Sequence, residues 1–187
     1  MKKYIKLFII IILLFGAKII FDKIYYNGKK IDSFNNVSVY YNGNPMNIKG
    51  RNLTKSGYNL GLKYQCVEFV KRYYFEHLNH KMPDSYGHAK DFYNRETNDG
   101  ELNISRNLLQ YKNPSFSKPK VNDILVLDKS TFNKFGHVSI VCKVDGNSIE
   151  VIQQNVFLNT RDNYDLKFVD GKWELDNKRI LCWLRKG

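Results

Sequence analysis

The pattern of hydrophobic and polar positions changes period several times along the chain, and each change marks an element. Lys2, Lys3 and Lys6 precede a run from Leu7 to Phe21 that is apolar except for Gly16 and Lys18. Its fifteen residues fall short of the roughly twenty a spanning helix needs and are nearer a signal-peptide core. The one cleavage candidate, Phe15-Gly16-Ala17, begins with a bulky ring where a small residue is wanted. The expectation for residues 1–22 is therefore an uncleaved signal anchor with Lys18 snorkelling to the outer interface, a cleaved signal peptide being the alternative. The basic flank places the amino terminus inside and the remainder outside the cytoplasmic membrane. Residues 23–54 read as a tether, with short extended segments at 25–28 and 37–43 ended by Asn-Gly turns. These segments either wrap the domain or form an edge hairpin.

From Cys66 onward the period becomes helical: Phe69, Val70, Tyr73, Tyr74 and His77 recur on one side, with Lys71, Arg72 and Glu76 turned mostly the other way. Met82-Pro83 stops this helix, and a second is expected over His88–Asn94. Residues 95–120 are polar, are broken by Pro114 and Pro119, and read as a rim to a cleft. Strands follow at 124–127, 137–144, 148–154, 164–168, 173–175 and 180–184, with turns at Asp145-Gly146-Asn147 and Asp170-Gly171-Lys172. The class is α+β: helices in front of an antiparallel sheet of five or six strands, preceded by a membrane segment. Without that segment roughly 160 residues remain, enough for one core, assigned to residues 55–187.

Cys66 lies in the first turn of its helix. There the unpaired N–H groups and the positive end of the macrodipole favour thiolate and can receive an oxyanion, with Gln65 or Tyr64 as helpers. The commoner fate of a free cysteine is a small buried hydrophobe. His137 opens a strand, at the mouth of a hairpin whose partner ends in Gln153-Gln154-Asn155. A bulged turn pairs His137 with Asn155 and sets Gln153 diagonally on the same face, whereas a strict Asp-Gly turn brings Gln154 opposite it. In either register an amide can hold the imidazole in one tautomer, the third role in a nucleophile, base and orienter arrangement.

Composition narrows the setting. The formal charge is +12, from 30 basic and 18 acidic residues. It suits phospholipid head groups, teichoic acids or peptidoglycan carboxylates, although a merely solubilising surface is as good an account. The lysines are scattered rather than gathered into a stripe, which together with export argues against nucleic acid. Three cysteines give no complete disulfide framework. Cys142 and Cys182 sit in apolar strands and read as core fillers; a bridge between them would leave Cys66 as the free thiol. The spacing of His77, His80 and His88 matches no common zinc pattern, so neither metal nor cofactor is expected.

Gly61-Leu62-Lys63-Tyr64-Gln65-Cys66-Val67-Glu68-Phe69, Gly136-His137-Val138-Ser139-Ile140-Val141 and Gln153-Gln154-Asn155-Val156 resemble, in the same order, the three motif blocks of the CHAP family, the cysteine- and histidine-dependent amidohydrolases and peptidases. Within it they are most similar to the amidase domain of bifunctional glutathionylspermidine synthetase/amidase, over roughly residues 55–185. The resemblance implies a papain-like α/β fold with Cys66 as nucleophile, His137 as base, and Gln153, with Asn155 in reserve, as orienter. The amidase motif usually reads Glu-Gln-Asn where this chain has Gln153-Gln154-Asn155, so charge stabilisation of the imidazolium is replaced by hydrogen bonding alone. Three functions follow as expectations: a monomeric amidase or endopeptidase anchored in a bacterial membrane and cleaving peptidoglycan outside the cytoplasm; hydrolysis of a small peptide-amine amide of the glutathionylspermidine type; or a catalytically silent surface-binding protein.

Overall fold

The computed structural model describes residues 2–187. Helix α1 (Lys2–Ile24) has 23 residues, about 34 Å at 1.5 Å per residue. It is longer than the apolar run because the charged residues at both ends join it. Its large apolar side chains from Tyr4 to Ile20, and Ile24, are exposed, so nothing among the described residues covers them, and by length and composition it can cross a membrane.

Strands β1 (Lys30–Phe34) and β2 (Val37–Tyr40) form a hairpin with Phe34 opposite Val37. Its turn is Asn35-Asn36, both left-handed at φ 46° and 66°, as a tight turn matched to strand twist requires. The hairpin is a separate two-stranded sheet, and its Val37 and Val39 are buried. Asn27-Gly28 makes a turn as expected, with Lys29 N–H donating to Tyr26 O at 2.9 Å, but neither Asn-Gly pair is the connection of this hairpin. A second ribbon, β3 (Arg51–Leu53) with β4 (Asn59–Leu62), was not foreseen and leads into α2 (Cys66–Glu76). Gly61, at φ 126°, lets β4 pass the first turn of α2: a Cβ there would stand 3.1 Å from the Glu68 backbone. Helix α2 ends before Met82-Pro83. The His77 N–H still donates to the Tyr73 carbonyl, but Asn79 is left-handed at φ 48° and turns the chain away. In place of the second helix there is one 3-10 segment, Ala89–Phe92.

The remaining strands are β5 (Glu101–Asn103), β6 (Leu108–Lys112), β7 (Ile124–Leu127), β8 (His137–Val144), β9 (Ser148–Ile152), β10 (Arg161–Val169), β11 (Lys172–Leu175) and β12 (Ile180–Arg185). They make one antiparallel sheet of eight, in the order β11-β10-β9-β8-β7-β12-β6-β5. The expected five or six strands are all present; the additional pair, β5 and β6, comes from the segment read as a rim. Its period-two signal is masked because amides occupy the buried positions. Gln110 is fully buried and donates to the carbonyls of Asn94 at 2.8 Å and Thr97 at 3.3 Å, while Asn103 donates to that of Phe92 at 2.9 Å.

One face of the sheet packs Val126, Val138, Ile140 and Ile152 against Phe69, Val70, Tyr73 and Tyr74 of α2. The other encloses Leu125, Val141, Val151, Leu166 and Trp183. It can do so because the sheet curls until Ser115, just past β6, bridges to Trp173 in β11. Cys142 in β8 and Cys182 in β12 are separated by β7 and offset along the strands, Cys182 lying level with Val126 and Val138, so they lie more than about 10 Å apart, beyond disulfide reach; all three cysteines are free.

Gly136 fixes the start of β8. It sits at φ 75°, and a Cβ there would lie 2.5 Å from the Leu127 carbonyl oxygen and 2.9 Å from the Lys90 backbone nitrogen. Gly136→Ala should lower stability by about 2–4 kcal/mol, measured as a fall in the denaturant midpoint. An unchanged midpoint would mean that this corner is free to relax.

Candidate active site

Cys66 is the first residue of α2, after Gln65 in extended conformation (φ −81°, ψ 162°). Its side chain faces the sheet and the residue is 8% exposed. Burial pushes its thiol pKa up, against three backbone N–H groups, of Val138, Val67 and Cys66, that pull it down. The Val138 N–H belongs to the residue after His137, so the sulfur lies against the first residues of β8.

His137 is the first residue of β8 and pairs with Leu127 of β7. Its Nε2 is 2.9 Å from Gln153 Oε1. The amide's orientation is set on its other side, where Gln153 Nε2 donates to the Asn159 carbonyl at 3.0 Å. The oxygen must therefore face the ring, which makes Nε2 the protonated nitrogen of the neutral imidazole and leaves Nδ1 as its basic one. His137 is half-buried, and the loss of water around the ring lowers its pKa from 6.5 to about 4; the Gln153 hydrogen bond opposes the fall, Arg179 adds to it and Asp162 counters it. With the thiol raised and the imidazole lowered, the resting pair at neutral pH is neutral on both sides.

The register was reached by a route neither turn anticipated. Asp145 N–H donates to Ser148 O at 2.9 Å, closing the loop around Gly146-Asn147. A bulge at Cys142 then resets the pairing so that Ile140 faces Ile152. Continued, that register sets Asn155 opposite His137, with Gln153 diagonal to it.

Asn155 nevertheless turns elsewhere. It donates to Gln65 Oε1 at 2.6 Å and to Pro45 O at 3.1 Å, and accepts from Asn42 at 2.8 Å. Gln65 in turn donates to the carbonyls of Pro45 and Asn47, both at 2.9 Å, so both its amide hydrogens are engaged and neither is aimed at the thiol. The Tyr64 ring packs at a tilt against Tyr40, centroids 5.1 Å apart, with its hydroxyl by Gly28. The expected helpers Gln65 and Tyr64 thus brace loops 25–28 and 41–49.

Of the two residues that hold this arrangement, sequence reasoning considered Gln154 only as a partner for His137 and did not single out Glu68. Gln154 is 1% exposed; it accepts from Tyr40 N–H at 2.8 Å and donates to Gln65 O at 3.1 Å and Glu68 Oε2 at 2.9 Å. Glu68 also pairs with Arg72 Nε at 2.6 Å and accepts from Asn52 at 2.7 Å. The signal available was a Glu and Arg at i, i+4 on the helix; their burial was not readable. The three histidines considered for metal go separate ways: His77 to Asn35 at 3.0 Å, His80 to Arg106 O at 2.9 Å, and His88 against the Phe135 ring. Among the described residues no three His, Cys, Asp or Glu side chains gather for a metal.

A family model described as the CHAP domain matches residues 56–155, a span that includes Cys66, His137 and Gln153 and ends before β10. The chain is 26% identical over 120 residues to trypanothione synthetase of Crithidia fasciculata, covering 62% of this chain and 18% of that protein. It is 32% identical over 103 residues to the bifunctional glutathionylspermidine synthetase/amidase of Escherichia coli (strain K12), covering 52% of this chain and 16% of that protein. It is 32% identical over 99 residues to glutathionylspermidine synthase of Crithidia fasciculata, 51% of this chain and 14% of that protein. The chain thus spans less than a fifth of the length of these relatives.

Two outcomes test the geometry. A glutamate at position 153 would set a carboxylate oxygen against the Asn159 carbonyl and lose that hydrogen bond, so Gln153→Glu should destabilise the fold by about 1–3 kcal/mol even as its charge raises the His137 pKa. A variant as stable as the parent would contradict the assigned amide orientation. Because the His137 pKa is lower in the fold (about 4) than the ordinary 6.5, the neutral ring's contribution is complete above pH 6.5 and is lost as pH falls toward 4, roughly 3 kcal/mol in all. His137→Gln should flatten the stability profile across that window in chemical denaturation at a series of pH values; an unchanged slope would contradict the burial.

Proposed function

Because the chain belongs to the CHAP domain family, we propose that it is a cysteine amidohydrolase in which Cys66 attacks, His137 carries the proton and Gln153 orients His137. The observation that supports this reading is the Gln153 amide, bound to His137 on one side and to Asn159 on the other, which leaves Nδ1 as the basic nitrogen, while the backbone N–H of Val138, the next residue, bears on the Cys66 sulfur.

The chemistry follows from the resting protonation state. As sulfur adds to the amide carbon, the thiol proton passes to Nδ1, so thiolate develops during attack rather than before it. The oxyanion takes the Cys66 backbone N–H at the head of α2, where the helix dipole also favours negative charge. Collapse breaks the C–N bond, and Nδ1 returns the proton to the leaving amine. The neutral ring then takes a proton from water as its oxygen attacks the thioester. Release of the acid regenerates the thiol.

In this proposal the substrate is an amide of peptidoglycan, and α1 anchors the domain on the outer side of a bacterial cytoplasmic membrane. The length and exposed apolar surface of α1 support anchoring, and the net positive charge favours an anionic envelope. A second reading, hydrolysis of a small peptide-amine amide, draws on the amidase in the name of the Escherichia coli relative.

The full chain in detergent, incubated separately with purified sacculi and with glutathionylspermidine, should release new amines from sacculi, identified by mass spectrometry. Spermidine release alone would select the second reading; silence in both would leave a binding protein. Cys66→Ala should abolish turnover, a fall of about a thousandfold or more, with an unchanged unfolding midpoint. Retained activity would remove Cys66 from the scheme.

A further inference from the structure

The last turn of α1 does not leave the domain through a free linker. The Phe21 ring stacks on Phe157, centroids 5.7 Å apart and planes 8° from parallel. Tyr41 meets both edge-on, at 6.3 and 5.7 Å, and Tyr25 joins at 5.9 Å from Tyr41. Phe157 belongs to the loop between β9 and β10, four residues past Gln153 and two before Asn159, whose carbonyl holds the Gln153 amide. It stands at φ 57°, a region a bulky residue enters only when its surroundings hold it there; the stack on Phe21 is such a hold. Even so Phe157 is 54% exposed.

More apolar surface adjoins it. Asn155 binds Asn42 and the Pro45 carbonyl, tying the 153–160 loop to the 41–49 loop, on which Met46 is 71% and Ile48 60% exposed. Lysines border the patch: Lys23 and Lys49 are exposed, and Lys29 lies 4.9 Å over the Tyr25 ring. Aromatic rings, aliphatic tips and lysines where an apolar helix emerges are the composition that settles in the head-group layer of a bilayer.

We propose that Phe157, Met46 and Ile48, with the Phe21 and Tyr25 rings packed around buried Tyr41, form a docking surface for anionic phospholipid, and that it holds the 153–160 loop against the membrane. This rests on α1 being a membrane anchor and adds where the domain sits relative to it. The amides within reach are then those presented at the bilayer surface, and the loop that positions Gln153 is braced by the anchor's own exit.

The test is fluorescence quenching of the full chain in vesicles of phosphatidylglycerol and phosphatidylcholine whose acyl chains are brominated near the head group. The natural Trp173 and Trp183 give the baseline: Trp183 is buried, and Trp173 lies beside Phe168 at the opposite end of β10. Leu13→Trp reports on the anchor and Met46→Trp on the docking surface; neither position touches Cys66, His137 or Gln153. Emission from position 46 should fall in these vesicles relative to unbrominated ones, as for an interfacial ring, and emission from position 13, midway along α1, should fall in a second set brominated toward the acyl-chain ends. Quenching at position 13 without quenching at position 46 would overturn the docking surface and leave the anchor standing. Quenching at neither would overturn the anchor and the docking surface together.

Discussion

Everything at the candidate site turns on one side-chain amide used on both faces. The Gln153 oxygen meets the His137 ring and its NH2 group meets the Asn159 carbonyl, in a residue only 4% exposed. Where water is scarce, each of these groups needs its partner. The ring therefore has one tautomer available, with its basic nitrogen opposite the orienter. A carboxylate in the same place would supply charge but would face another acceptor at Asn159. The surroundings are built for an amide, which accounts for glutamine at the position where the related motif carries glutamate. Burial leaves the resting pair neutral, with the imidazole held near pKa 4 and the thiol above its usual range, and an amide brings no charge to reverse this.

A second buried polar group fixes where the sulfur stands. Gln154 links the β1–β2 hairpin at Tyr40 to the residue before Cys66 and to Glu68, while Arg72 neutralises Glu68 and reaches the Ser38 carbonyl at 2.8 Å. Removing any one partner would leave a buried charge or amide unmatched, a larger penalty than the bonds are worth individually. The adjacent glutamines thus divide the contacts: Gln153 holds the His137 imidazole, and Gln154 seats the helix that carries Cys66. Because the hairpin contributes to this network, residues 30–40 belong physically to the site's scaffold, although the chain pattern reads as a tether there.

What was legible in the chain was whatever follows a hydrophobic period. Helix α2 with Cys66 at its head, β8 with His137 at its head, and the six apolar strands all announce themselves by side-chain spacing. What was hidden was whatever is decided by buried polar groups or by turn geometry. Strands β5 and β6 carry Asn103 and Gln110 inward, so their alternation does not look apolar. The Asn35-Asn36 turn lacks the glycine that usually marks such a hairpin. The bulge at Cys142 resets a register that the turn alone would have set differently. Gln65, Asn155 and Tyr64 were rightly placed near the cysteine in sequence, but their hydrogen bonds and ring contacts run to neighbouring loops, a choice made by partners over a hundred residues away in the case of Asn155.

The central claim, that the Gln153 amide dictates the proton's place on His137, is tested most directly by nitrogen-15 NMR of selectively labelled histidine at neutral pH. The account predicts that His137 shows a protonated Nε2 and an unprotonated Nδ1. A signal from the Nδ1–H tautomer, or from an imidazolium protonated on both nitrogens, would contradict it.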